Sequence, residues 1–319
     1  MKSFAFVFPG QGSQSVGMLD GWEDHPQVLA TLQEASDALH ENISHLIKHG
    51  PKEALALTAN TQPAMLVAGV AAYRVWMAEV GVAPSVMAGH SLGEYSALVA
   101  SGVLTLTQAA PLVRFRAKAM QDAVPVGAGA MAAILGLEAS KVIAVCADVT
   151  ASFGQDATEI VEAVNFNAPG QAVIAGTKAA VDQACVTLRS RGAKRALSLP
   201  VSAPFHSSLM KPAALQLKEK LAATPLAAPQ IPVINNIDAC IEQDAGRIRD
   251  ALVRQAFGPV RWVECVQAMA AQGVSTLVEC GPGKVLTALT RRIATEMQGL
   301  ALLDLASLAE VKSVLQDES

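Results

Sequence analysis

Short apolar runs that stop at glycine or proline alternate along this chain with longer stretches of helical spacing. Phe4-Ala5-Phe6-Val7-Phe8 reads as a buried strand ending in Pro9-Gly10-Gln11-Gly12-Ser13-Gln14, a loop whose glycines allow close backbone approach to a ligand. Helical periodicity predicts helices over Gln27–Gly50 and Gln62–Val80, the second halted at Gly81. Ser85-Val86-Met87-Ala88 predicts a second strand, turning through Gly89-His90-Ser91-Leu92-Gly93 into a helix from Glu94. Strands alternating with helices favour a parallel sheet.

Between Pro125 and Pro200 the rhythm changes. Strand Met131–Leu135, helix Glu138–Val149, strands Ile160–Asn165 and Ala172–Ala175, helix Lys178–Arg191 and strand Arg195–Leu199 follow in the order βαββαβ, that of a ferredoxin-like unit. Pro125, Gly127 and Gly129 precede it and Pro200 and Pro204 follow, as expected of an inserted domain whose ends lie close together. The expected fold is therefore α/β: a large α/β-hydrolase-like domain with a parallel sheet (1–125 and 201–319) carrying a small ferredoxin-like domain (126–200). The large part resumes with strands at Val233–Ile234 and Thr276–Val278 before the turn Gly281-Pro282-Gly283, and a helix-like Leu302–Leu315 is expected to pack on the surface.

Composition narrows the function classes. The chain has 319 residues, 51% hydrophobic and 16% charged, which excludes disorder and predicts about two domains. Lys and Arg total 24 against 28 Asp and Glu, scattered rather than striped, which argues against nucleic acid as a partner. No charge occurs between Tyr95 and Val113, yet Ser, Thr, Gln, Gly and Pro interrupt that stretch, so no membrane span is expected. The apolar run at Phe4–Phe8 is too short for a signal-peptide core, and the expected location is the cytoplasm. Five well-separated cysteines, Cys146, Cys185, Cys240, Cys265 and Cys280, form no Cys-x-x-Cys pair and read as reduced core residues.

Gly89-His90-Ser91-Leu92-Gly93 fits the Gly-x-Ser-x-Gly elbow, a strand-to-helix turn that exposes a serine hydroxyl. A serine needs a base. His25, His40, His45 and His49 lie in a polar segment and read as solvated helix surface; the i, i+4 pair His45/His49 has no third ligand nearby, so no metal site is expected. His90 sits inside the turn, pointing away from the hydroxyl. His206, in the rigid-looking loop Val201-Ser202-Ala203-Pro204-Phe205-His206-Ser207-Ser208, is the candidate base, with core packing as the alternative. No histidine follows it, unlike the usual α/β-hydrolase order, and no acid partner is evident. Arg116, next to the long uncharged stretch, needs an anion, either a protein carboxylate or a bound acid. The loop at Gln11 is a ligand loop or a plain turn; it lacks nucleotide-loop spacing.

Together, Phe8-Pro9-Gly10-Gln11-Gly12-Ser13-Gln14, Gly89-His90-Ser91-Leu92-Gly93-Glu94-Tyr95-Ser96-Ala97-Leu98, Val164-Asn165-Phe166-Asn167-Ala168-Pro169-Gly170-Gln171, the Phe205-His206 loop and Glu279-Cys280-Gly281-Pro282-Gly283-Lys284-Val285-Leu286 resemble the malonyl-CoA:acyl carrier protein transacylases of bacterial fatty-acid synthesis, in order and as far as Ile293. The resemblance implies Ser91 as nucleophile, His206 as base, Arg116 as the grip on the malonyl carboxylate, Gln11 and the Leu92 N–H as oxyanion hole, and Gln255 as the residue whose carbonyl orients the histidine. It implies malonyl-CoA and acyl carrier protein as substrate and partner, a monomer, and no cofactor. Phe205 before the histidine agrees with malonyl rather than methylmalonyl use. Competing readings are a serine thioesterase or lipase, a non-catalytic carrier-binding scaffold, and an acyltransferase of malonate decarboxylase or of polyketide synthesis.

Overall fold

The computed structural model describes residues 3–154, 158–201 and 203–316, so Ser202 of the histidine loop lies outside the described residues. The first half holds strand β1 (Phe4–Phe8), helices α1 (Pro26–Leu39), α2 (Ile43–His49), α3 (Lys52–Ala56) and α4 (Thr58–Glu79), strand β2 (Val86–Gly89), and helices α5 (Gly93–Ala100) and α6 (Leu106–Asp122). Next come β3 (Gly129–Leu135), α7 (Ala139–Ser152), β4 (Val161–Ala168), β5 (Gln171–Thr177), α8 (Lys178–Ser190) and β6 (Arg195–Ser198). The chain closes with α9 (Lys211–Ala222), β7 (Val233–Ile234), α10 (Ala245–Phe257), α11 (Trp262–Ala271), β8 (Thr276–Cys280), α12 (Val285–Ile293), β9 (Gln298–Leu302) and α13 (Leu305–Gln316).

Two sheets result. The first, in order β7-β2-β1-β8-β9, is parallel throughout, and β1 lies at its centre with all five residues buried. Its strands are continuous apolar runs because helices cover both faces. Phe4, Phe6 and Phe8 point to one side, against α4 and α5, while Ala5 and Val7 face α11 and α12 on the other. Aromatic edges at Phe4, Phe6 and Trp76 lock the first face, their ring centroids 5.4–5.8 Å apart. The second sheet, β4-β5-β3-β6, is antiparallel throughout. Alternation along β5 sends Ala172 and Ile174 toward α7 and α8, and Val173 and Ala175 toward Met120 and Phe205. One face of the second sheet therefore roofs the ends of the first.

Several sequence expectations are corrected. The segment expected as one helix over Gln27–Gly50 breaks at His40, whose left-handed φ of 53° ends α1, so α1 and α2 are separate. The helix expected from Gln62 begins at Thr58, one turn earlier. Leu302 ends a strand, because Gln298–Leu302 pairs in parallel with β8, and the final helix starts at Leu305 behind the Asp304 carboxylate, which accepts from the Ser307 N–H at 2.7 Å. That helix is not surface decoration, since Leu308, Val311 and Leu315 join the main core. His25 is not simply solvated: it caps α1 and lies 3.2 Å from Glu79. All five cysteines are free thiols, but Cys240 is exposed. Among the described residues no helix is long and apolar enough to cross a membrane.

Because Leu315 is fully buried, Leu315→Ala should destabilise the protein by about 2–5 kcal/mol in urea unfolding, the range for a core truncation. A loss within about 0.5 kcal/mol, the usual surface effect, would return α13 to the surface.

Candidate active site

The site forms where β1 and β2 release the chain at their carboxyl ends, beside the central strand of the parallel sheet. The turn after β2 is forced by close packing. A Cβ on Gly93 would lie 2.0 Å from the Phe8 carbonyl oxygen, and one on Gly89 would lie 1.8 Å from the Gly93 backbone. Glycines at both places let α5 press onto β1. Ser91 between them takes φ 53°, a left-handed conformation held by the surrounding structure. Asn236, after β7, grips both sides of the turn: its Oδ1 accepts from the Ser91 N–H at 2.7 Å, and its Nδ2 donates to the Gly89 carbonyl at 2.7 Å.

Ser91 Oγ lies 2.7 Å from His206 Nε2. On its other side His206 Nδ1 donates to the main-chain carbonyl of Gln255 at 2.8 Å, which leaves Nε2 as the acceptor for the serine proton. Gln255 sits in the last turn of α10, where carbonyls lack helical partners and the helix dipole is negative. Ser91, conversely, stands just before the positive end of α5. Burial, with Arg116 nearby, pulls the His206 imidazole down to about 3 from 6.5, against the opposing Gln255 hydrogen bond. His206 also has a left-handed φ of 67°.

Arg116 lies on the buried face of α6 with Leu112, Val113 and Met120, one turn apart or less. A capping box of Thr105 and Gln108 starts that helix. The guanidinium donates to Gln62 Oε1 at 2.7 Å, to Gln255 Oε1 at 3.0 Å and to Ser91 Oγ at 3.3 Å, and its centre lies 5.4 Å from the Tyr95 ring. Of the two sequence alternatives, a direct protein carboxylate is thus excluded among the described residues. Arg114 points elsewhere, to Glu41 at 2.7 Å.

Ser91, His206, Arg116, Gln62, Gln11 and Leu92 line a cavity of about 130 Å³ with Met120, Met131 and Phe205 among its apolar walls. The main-chain N–H groups of Gln11 and Leu92 make no hydrogen bond among the described residues. The Gln11 side chain donates to Thr58 Oγ1 at 3.3 Å. A second cavity of about 310 Å³ shares Gln11, His90 and Asn165 with the first and runs outward past Ser13 and α12. His90 turns away from the serine hydroxyl, its Nε2 2.8 Å from Asn167 Oδ1.

All six residues singled out from the sequence are therefore gathered in one place. Sequence reading missed Gln62, Asn236 and Glu94, which hold them there; Glu94 lay within a quoted motif, but nothing marked the other two. Among the described residues no group of three His, Cys, Asp or Glu side chains is placed to hold a metal ion. His45 and His49 stand exposed, their rings 5.0 Å apart.

The sequence profile described as acyl transferase domain matches residues 5–310. The malonyl CoA-acyl carrier protein transacylase of Escherichia coli K12 is 53% identical over 310 residues, covering 97% of this chain and 98% of its own. The acyl-carrier-protein S-malonyltransferase of Burkholderia pseudomallei 1710b superposes with a TM-score of 0.94 at 59% identity, over 98% of this chain and 100% of that one. A malonyl-transacylase solved in complex with a holo type II polyketide acyl-carrier protein gives a TM-score of 0.94 at 50% identity, over 98% and 100%.

Burial and Arg116 both disfavour the imidazolium, so His206 should stay neutral while an ordinary histidine titrates. Nitrogen NMR of the ring should show a fixed Nδ1–H tautomer from about pH 8 to about pH 5. An inflection for His206 near 6.5 would contradict this environment. The depressed value also makes His206 a source of stability above about pH 6.5 that is lost as pH falls toward 3.

Proposed function

The chain belongs to the acyl transferase family, among the malonyl CoA-acyl carrier protein transacylases, and on that premise we propose how its residues move a malonyl group from malonyl-CoA to the phosphopantetheine thiol of acyl carrier protein. The observation that carries the reading is one hydroxyl, Ser91 Oγ, shared between a base at 2.7 Å and a guanidinium at 3.3 Å.

His206 Nε2 takes the Ser91 proton as Oγ attacks the thioester carbonyl carbon. The oxyanion that forms is met by the main-chain N–H groups of Gln11 and Leu92, each worth about 3 kcal/mol when aimed at the developing charge. Collapse breaks the C–S bond, and the leaving coenzyme A sulfur takes the proton back from His206. In the second half the carrier thiol gives its proton to His206, attacks the malonyl-serine carbonyl, and collapse returns Ser91 with its proton. The imidazolium of each half-reaction has no acidic partner; the Gln255 carbonyl at the negative end of α10 stands in for one.

Arg116 selects the acyl group. A planar guanidinium takes a carboxylate with two parallel hydrogen bonds, so malonyl is separated from acetyl by charge. The bound carboxylate also offsets the positive charge that disfavours the imidazolium, so a malonyl group helps its own base. The second cavity, leading out past Asn165 and Asn167, supports a channel for the pantetheine arm. The scheme uses no cofactor, draws every group from one chain so that a monomer suffices, and serves fatty-acid synthesis in the cytoplasm. The βαββαβ order of 129–198 with strand order 4-5-3-6 supports reading 126–200 as an inserted ferredoxin-like domain on an α/β-hydrolase-like large domain.

Mixing with malonyl-CoA should add one malonyl group by intact mass, lost in Ser91→Ala, while His206→Ala slows acylation by about a hundredfold or more without unfolding the protein. Release of free malonate instead of transfer to carrier would mark a thioesterase. Arg116→Ala should cut malonyl transfer steeply and raise acetyl transfer relative to it, with Arg116→Lys rescuing only in part. Equal losses for both acyl groups, with lowered stability, would make Arg116 a structural cation.

A further inference from the structure

Arg116 is 1% exposed, yet its direct partners, Gln62, Gln255 and Ser91, are all neutral. A buried cation demands compensating charge. The carboxylate that shares its surroundings is Glu94, in the first turn of α5 and 2% exposed. One amide joins the two: Gln255 Nε2 donates to Glu94 Oε2 at 2.9 Å, and Gln255 Oε1 accepts from Arg116 at 3.0 Å. Glu94 Oε2 also accepts from the Asn236 N–H at 2.9 Å, and Asn236 holds the elbow. The Glu94 carboxylate is thus tied to clamp and nucleophile while contacting neither side chain.

The geometry of the amide fixes what Glu94 does. Two acceptors, Glu94 Oε2 and the Ser91 carbonyl at 3.0 Å, direct the Gln255 NH2 group inward and leave its oxygen for Arg116. Flipped, the amide would aim a donor at a donor.

We propose that Glu94 is a positioning residue and the resting counter-ion of Arg116, acting through the Gln255 amide, and that it takes up a proton when a substrate carboxylate seats on Arg116. The inference rests on Arg116 being the malonyl clamp. Empty, the site pairs one cation with one anion; a bound malonyl group adds a second anion, and protonating Glu94 restores the balance. A cavity of about 10 Å³ borders Glu94 together with Asn235 and Glu242, room for about one water through which a proton can arrive.

Other groups around Glu94 set its readiness. Burial pushes its carboxyl up to about 7, while Gln255, Asn236 and Arg116 pull it down and Asp238 pushes it up. Asp238 is paired with Arg254 of α10 at 2.6 Å. Tyr95 beside it on α5 and Cys265 on α11 are both held well above their usual values by burial and stay neutral. Glu242 lines the small cavity, and His206 lies beyond Arg116. A carboxyl poised near neutrality responds to one added charge.

The test measures protons. With Ser91→Ala to halt the reaction at binding, malonyl-CoA is titrated calorimetrically at pH 7 in buffers of different ionisation enthalpy, with acetyl-CoA as control for the coenzyme A phosphates. About half a proton more should be taken up with malonyl than with acetyl, given a free carboxyl half-ionised near pH 7. Malonyl affinity should then weaken about fivefold from pH 7 to pH 8 by linkage. Adding Glu94→Gln, which keeps an acceptor for both donors, should preserve malonyl binding and remove both effects, whereas Glu94→Ala should also lose the preference for malonyl over acetyl. Equal uptake for both acyl groups in the Ser91→Ala protein alone, or uptake surviving Glu94→Gln, overturns the role of Glu94. Malonyl binding indifferent to Arg116→Ala overturns the clamp itself.

Discussion

A charge in an apolar interior is tolerated only where the surroundings are built for it, and much of this site is that provision for Arg116. The guanidinium sits on a helix face made otherwise of Leu, Val, Ala and Met, so its partners must come from other elements. Gln62 arrives from α4, Gln255 from α10 and the Tyr95 ring from α5. Each of the two amides satisfies a donor without cancelling the charge. In the proposed scheme that leaves the guanidinium free to bind a carboxylate from outside.

The same arrangement explains a dyad without an acid. A carboxylate beside His206 would pair with Arg116 as readily as with imidazole, and in the proposed scheme it would compete with the malonyl carboxylate. A helix-end carbonyl does neither, because its partial charge orients the ring without forming an ion pair. Gln255 serves twice in this way, its main chain holding the His206 ring and its side chain accepting from Arg116. The spacing between the His206 imidazole and the Arg116 guanidinium is thereby fixed by one residue of one helix.

Packing of the second sheet completes the enclosure. Met131, Val173 and Phe205 close the cavity from above, and β4 is stitched to the large part where the Val260 N–H donates to the Val164 carbonyl at 2.8 Å and the Phe166 N–H to the Val260 carbonyl at 3.0 Å. With its apolar walls the cavity strengthens the electrostatic contacts inside it. The second cavity, which shares His90 and Asn165 with the first, is the route proposed for the pantetheine arm.

Elements with strong local codes were legible in the chain itself. The β1 and β2 strands, the elbow and the βαββαβ order follow from apolar runs and glycine stops, since a turn as tight as 89–93 admits few residue types. The meeting of Ser91 with His206 was legible for the same reason: one elbow serine, and one histidine in a loop rather than on a polar helix. The break at His40 and the strand Gln298–Leu302 were not, because the first depends on a left-handed residue in an unbroken period and the second on an edge offered by β8. Arg116 was visible as a charge in need of an anion, but its neutral partners lie 54 and 139 residues away in the chain. Glu94, Asn236 and the Gln255 carbonyl likewise meet only when α5, β7 and α10 pack. Local chemistry determines which side chains could react; the tertiary structure decides which of them share a charge, because that depends on distances no stretch of sequence contains.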